Sequence, residues 1–137
     1  MVAKGSVIFG GILTFLMFVF HTRFYKMFGW QQELSNLTLA NQRILYTIHI
    51  ALLILFLAFS LISLIFYREL SQPVGLAAGM LFVISAFWIW RTVWQVFYFK
   101  VPPGTPSVPV MNYALIAVFA LLAAAYILPL ILQRVIK

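Results

Sequence analysis

Five side chains in this sequence have types and spacings suited to holding a polar group inside an apolar setting: Tyr46, His49, Trp88, Arg91 and Gln95. Arg91 leads the set. It sits in Phe87-Trp88-Ile89-Trp90-Arg91-Thr92-Val93-Trp94-Gln95 and is the only formal charge between Gly75 and Phe99. A guanidinium in hydrocarbon costs about 2.5–3.5 kcal/mol on insertion scales, more if it reaches neither water nor a partner. His49 and Arg91 together suit an anionic or carbonyl group. Gln95 and Tyr46 would add hydrogen bonds, and Trp88 an apolar wall. The matching ligand is a lipid headgroup, a quinone or a similar amphiphile. The plainer reading has Arg91 reaching to the headgroups along its flexible stem and His49 bonding a neighbouring helix.

A second chemistry uses His21 and His49 as axial ligands of haem b, with Arg91 meeting a propionate. Axial ligands need equal depth. His21 closes its apolar run, whereas His49 lies some five residues into the next.

Other chemistries lack their residues. The only acids are Glu33 and Glu69, so there is no carboxylate pair, and no triad or nucleophile elbow is present. No catalytic residue is expected. Two histidines and a distant Glu33 are too few for a zinc site, so no metal site is expected. The chain has no cysteine, which removes disulfides and thiolate ligands. A net charge of +7 does not point to nucleic acid, because the cations are scattered singly at segment ends. Such flanking cations suit membrane lipids. A transporter is a weak fit, with only four helices, no broken helix pair and no acidic residue in the spans.

The elements that must position these residues are apolar helices. Of 137 residues, 65% are hydrophobic and 8% charged, against about 45–50% and 25% in soluble domains. Mean hydropathy is +1.09. Runs near the roughly 20 residues needed to cross a bilayer fall at about 7–22, 44–67, 74–99 and 111–132. The expected fold is all-α, a single domain over 1–137. It is an integral membrane up-down-up-down four-helix bundle with both termini on one side.

The run ending in His21 resembles a signal-peptide core with Lys4 as basic flank. However, His21-Thr22-Arg23-Phe24 is no small-residue cleavage site, so the run is read as a helix. Segment 24–42 is amphipathic, with Phe24, Tyr25, Phe28 and Trp30 among polar residues, which suits the headgroup level. Ser35, Asn36, Thr38 and Asn41 are capping types before the second span. Asn36-Leu37-Thr38 also matches a short glycosylation sequon. Residues 100–109 carry Pro102, Pro103, Gly104, Pro106 and Pro109 and read as an extended loop. Pro129 should loosen the last turns of the fourth helix.

That topology gathers the polar residues. His21, His49, Arg91, Gln95 and Asn112 all fall towards the loop side of the bundle. Helical spacing groups Gly10, Thr14, Met17 and His21 on one stripe, and Tyr46, His49, Phe56, Ser60 and Ser63 on another. Trp88, Arg91, Gln95 and Tyr98 form a third. Polar groups in lipid turn inward or to the interface, so an inward cluster of Tyr46, His49, Arg91 and Gln95 is expected, with His21 near it. Gly75 and Gly79 form a G-x-x-x-G step, read as close packing within the bundle. Trp88, Trp90, Trp94 and Phe97-Tyr98-Phe99 read as an interfacial aromatic belt.

Two stretches carry a resemblance. The first comprises Gly29-Trp30, Glu33-Leu34, Leu37, Asn41-Gln42-Arg43-Ile44 and His49. The second comprises Phe87-Trp88, Arg91, Gln95 and Phe97-Tyr98-Phe99. They resemble a group of uncharacterised small bacterial four-helix membrane proteins, similar in layout to the DoxX-like proteins. The order Gln42-Arg43 departs from that pattern, where Arg is expected first. The resemblance implies a four-helix bundle in a bacterial inner membrane and brings no known activity. The expected role is a non-catalytic accessory subunit or amphiphile binder, alone, as a homo-oligomer or within a larger membrane complex. Lys4, Arg68, Arg134 and Lys137 on the terminal side balance Arg23, Lys26, Arg43 and Lys100 on the loop side. The positive-inside rule is therefore silent, and the working assignment puts the termini in the cytoplasm.

Overall fold

The computed structural model describes residues 1–99 and 108–135. Among them all regular structure is helical. Four long helices, α1 (Val2–His21), α4 (Leu39–Ile65), α6 (Leu76–Phe97) and α7 (Val108–Val135), are long and apolar enough to cross a membrane. Two short turns of helix, α2 (Phe24–Met27) and α3 (Trp30–Glu33), with a 3-10 turn at Leu34–Asn36, link α1 to α4. A third, α5 (Tyr67–Leu70), links α4 to α6.

Three of the four long helices start before the apolar segments that betray them, whereas α6 falls inside its segment of 74–99. α1 starts at Val2 and α4 at Leu39, several residues before the expected starts at 7 and 44. Hydropathy marks what lipid covers, whereas a helix extends until a cap or breaker stops it. Thr38 is that cap for α4: its Oγ1 accepts from the Asn41 amide at 3.4 Å. α6 begins at Leu76 because Gly75 holds φ +54°, outside the helical region. Pro109 falls in the first turn of α7, where its missing N–H breaks no helical bond. α7 also continues through Pro129 to Val135. The proline-rich stretch 100–107 and Lys137 lie outside the described residues.

α1 packs on α4 and α7, and α6 packs on α7. Partners run in opposite senses. Gly11 meets Ser63 while His21 meets Phe56, and Trp88 meets Phe119 while Gln95 meets Asn112. Between α4 and α6 the seam is aromatic: Phe56 stacks on Trp88 at 5.3 Å, and Phe59 meets Phe87 edge-on at 5.5 Å.

The core carries one polar knot. Tyr126, fully buried on α7, has its hydroxyl 2.9 Å from Ser63 Oγ and 3.2 Å from Thr14 Oγ1. The Ser63 hydroxyl donates to the Phe59 carbonyl at 2.6 Å. Each hydroxyl has a single hydrogen, so Tyr126 donates to Ser63 and Thr14 donates to Tyr126. Nearby, Ser60 donates to the Gly11 carbonyl at 2.9 Å. Three helices are thus joined by a chain of satisfied hydroxyls.

The outward faces are apolar. Leu16 on α1, Ile54 on α4, Phe82 on α6 and Leu121 on α7 all stand exposed. Gly79 is exposed too, and a Cβ at either Gly75 or Gly79 would meet nothing within 4 Å. The G-x-x-x-G step is therefore not a packing seam of this bundle, contrary to the sequence expectation. The close approaches are at Gly10 and Gly11 of α1.

Candidate functional site

His21 ends α1, buried at 3% exposure. Its Nδ1 lies 2.8 Å from the Met17 carbonyl, one turn back. A carbonyl only accepts, so Nδ1 carries the hydrogen and Nε2 of the neutral ring keeps a free lone pair. Phe24 stacks on this ring at 4.2 Å and Phe56 meets it edge-on at 4.8 Å.

α6 brings Arg91 and Gln95 to the same end, and α7 brings Asn112 and Phe119. Gln95, 2% exposed, donates through Nε2 to Asn112 Oδ1 at 2.6 Å, tying the two helices where they converge. Arg91 points its Cζ at the Phe119 ring, 4.9 Å from the centroid, and lies 5.7 Å from that of Trp90. Its Nε is buried and has no hydrogen-bond partner.

His21, Arg91, Gln95 and Asn112 share one pocket of about 310 Å³, near the lower end of the range of about 300–1,000 Å³ for small-molecule sites. Its remaining walls are mostly aromatic. Phe24, Phe28 and Trp30 come from the α1–α4 connection, Trp94 and Phe99 from α6 and its end. No acid lines it. The two acids of the chain, Glu33 and Glu69, are both exposed, on α3 and α5. The electrostatics of Arg91 are thus incomplete. Cation–π contact is worth about 0.5–2 kcal/mol, and it leaves the buried Nε hydrogen unmet.

The residues expected from sequence divide. Arg91 and Gln95 line the pocket, joined by His21 and Asn112. Trp88 does not: it is fully buried in the core, between Phe56 at 5.3 Å and Phe119 at 5.7 Å, its Nε1 without a partner. Tyr46 and His49 are half-buried on α4 behind the connection. Tyr46 packs against Tyr25 at 6.1 Å and Trp30 at 6.3 Å. His49 meets Trp30 edge-on at 4.8 Å. Trp30 and Phe24 therefore screen α4 from the pocket. The amphipathic connection thus faces the pocket with its apolar i, i+4 pair, Phe24 and Phe28, a spacing visible in the sequence.

The two histidines do come level. Their ring centroids lie 6.5 Å apart with planes 25° from parallel, so unequal depth is not what separates them. The obstacle is Phe24, 4.2 Å from His21 and 5.9 Å from His49. Those three distances put its ring beside the midpoint of the imidazole pair, where a porphyrin between them would lie. The residues present do not fit haem while Phe24 stays in place. Among the described residues no group of three or more metal-ligating side chains comes together.

A larger groove of about 810 Å³ opens at the opposite end, lined by Lys4, Ile62, Phe66, Arg68, Val74 and Met80 among others. It contains no buried polar atom lacking a partner, so the smaller pocket is the stronger candidate despite its size. No family model, curated protein or solved structure matches this chain.

Proposed function

We propose that this chain is an integral protein of a bacterial inner membrane. Its four long helices cross the bilayer up-down-up-down with the termini in the cytoplasm. It binds the headgroup of an amphiphile, a lipid or a quinone, in the pocket beneath its α1–α4 connection. It does no chemistry of its own and serves as a binding or accessory subunit, alone or within a larger membrane assembly. The resemblance to small bacterial four-helix membrane proteins, DoxX-like in layout, agrees with this placement.

One observation carries the reading: the buried, unpartnered Nε of Arg91 in a pocket without an acid. An unmet donor on a permanent charge is costly for the protein alone and favourable for a ligand with oxygens. The exposed apolar faces of all four long helices support the bilayer as solvent. Haem is not part of the proposal, because the Phe24 ring stands beside the His21–His49 pair where a porphyrin would extend.

The test is extraction of the purified protein, with mass spectrometry of what it retains. One amphiphile should be enriched over bulk lipid in the wild type and lost in Arg91→Leu. Equal retention by the folded Arg91→Leu variant would defeat the proposal and leave Arg91 a headgroup contact.

A further inference from the structure

We propose that the amphiphile held in this pocket carries an acidic headgroup, a monoanionic carboxylate or phosphate, rather than a neutral quinone ring. The inference rests on the binding role proposed above and narrows it to a chemical class.

The argument is one of charge. Arginine does not deprotonate in proteins, so burial cannot be relieved by losing the proton. No acid of this chain relieves it either. Glu33 and Glu69 are exposed, and neither lines the pocket. Among the described residues of the pocket wall, with the His21 imidazole uncharged, Arg91 is the one formal charge. A quinone carbonyl would satisfy the Nε hydrogen and leave the charge unpaired. An oxyanion satisfies both, and its two oxygens match the guanidinium fork.

The other polar groups agree with a single anchoring point. Gln95 commits one of its two amide hydrogens to Asn112, and His21 has its Nδ1 hydrogen committed to Met17. Neither is a free cation that would call for a second charge on the ligand. The pocket volume of about 310 Å³ takes a headgroup and the start of a chain. Its aromatic walls, Phe24, Trp94 and Phe119, suit the apolar part.

The full-length protein in detergent is titrated, by calorimetry and native mass spectrometry, with four probes: oleate, dioleoyl phosphatidylglycerol, dioleoyl phosphatidylcholine and decylubiquinone. Oleate or phosphatidylglycerol should bind at least ten-fold more tightly than phosphatidylcholine and decylubiquinone. Which of the two wins identifies carboxylate or phosphate. Arg91→Gln should lose at least ten-fold for the winning anion, and Arg91→Lys, which keeps the charge without the fork, should lose less. The probe ranking needs no variant, so it stands if Arg91→Gln fails to fold. Arg91-dependent binding of decylubiquinone above both anions overturns the acidic headgroup and leaves the binding role intact. Anion binding undiminished in folded Arg91→Gln overturns it too, and binding of none of the probes overturns both.

Discussion

The ring of Tyr126 covers Gly10 so closely that a Cβ there would sit 2.9 Å from Cζ and 3.0 Å from Cε2. The same tyrosine holds Ser63 and Thr14 through its hydroxyl. The contact that lets α1 approach α7 and the polar knot that ties in α4 are thus one feature.

Gly10→Ala should therefore destabilise the bundle. The ring cannot move aside without lengthening its hydrogen bonds, and overpacking of this kind costs about 1–3 kcal/mol. Gly79→Ala is the control. It meets open space on α6 and should be neutral or stabilise by up to about 1 kcal/mol through helix propensity. Unfolding midpoints in detergent compare the two. Equal loss at both sites would show that Gly79 also faces a packed surface.

Gln95 and Asn112 should be energetically coupled. Their bond of 2.6 Å is the polar tie between α6 and α7 at the pocket end. Double-mutant cycles in a bilayer protein give about 0.6 kcal/mol for such bonds, up to about 1.7. The cycle Gln95→Leu, Asn112→Leu and the double variant should return a value in that range. A coupling of zero would mean that water satisfies both amides.

The connection over the pocket turns at Gly29, whose φ of +56° lies in the left-handed region with open space around it. Gly29→Val should cost roughly 1–2 kcal/mol, the left-handed penalty for a residue with a Cβ. Gly29→Asn should be tolerated, because asparagine visits that region. If the turn sets the position of Trp30 and Phe24, the valine variant should also change tryptophan emission. An unchanged spectrum would separate the turn from the pocket wall.

Haem should not bind. The protein purified from cells supplied with haem precursors should show no Soret band, because the Phe24 ring lies beside the midpoint of the His21 and His49 rings, where the porphyrin would extend. A reduced spectrum with a Soret band lost in His49→Ala would show that Phe24 moves and that the two imidazoles are ligands.

Sequence alone determined the four long apolar helices, since a run of some 20 predominantly apolar residues has few other uses. It also pointed to one end for Arg91, Gln95, His21 and Asn112, and all four line one pocket. The stripe that spacing defines, Gly10, Thr14, Met17 and His21, is buried. Tertiary structure decided what lies opposite what. Spacing defines a stripe on each helix but not how far the helix is rotated against its neighbours. The apolar pattern gives little help, because the exposed helix faces are as apolar as the bundle interior. So Trp88 went into the core, His49 and Tyr46 went behind Trp30, and Gly79 faced outward. The knot at Tyr126 was equally hidden, since it joins residues 112 positions apart in sequence. What remained for Arg91 was a cavity whose walls come from four parts of the chain and include no acid, which no single stretch of sequence specifies.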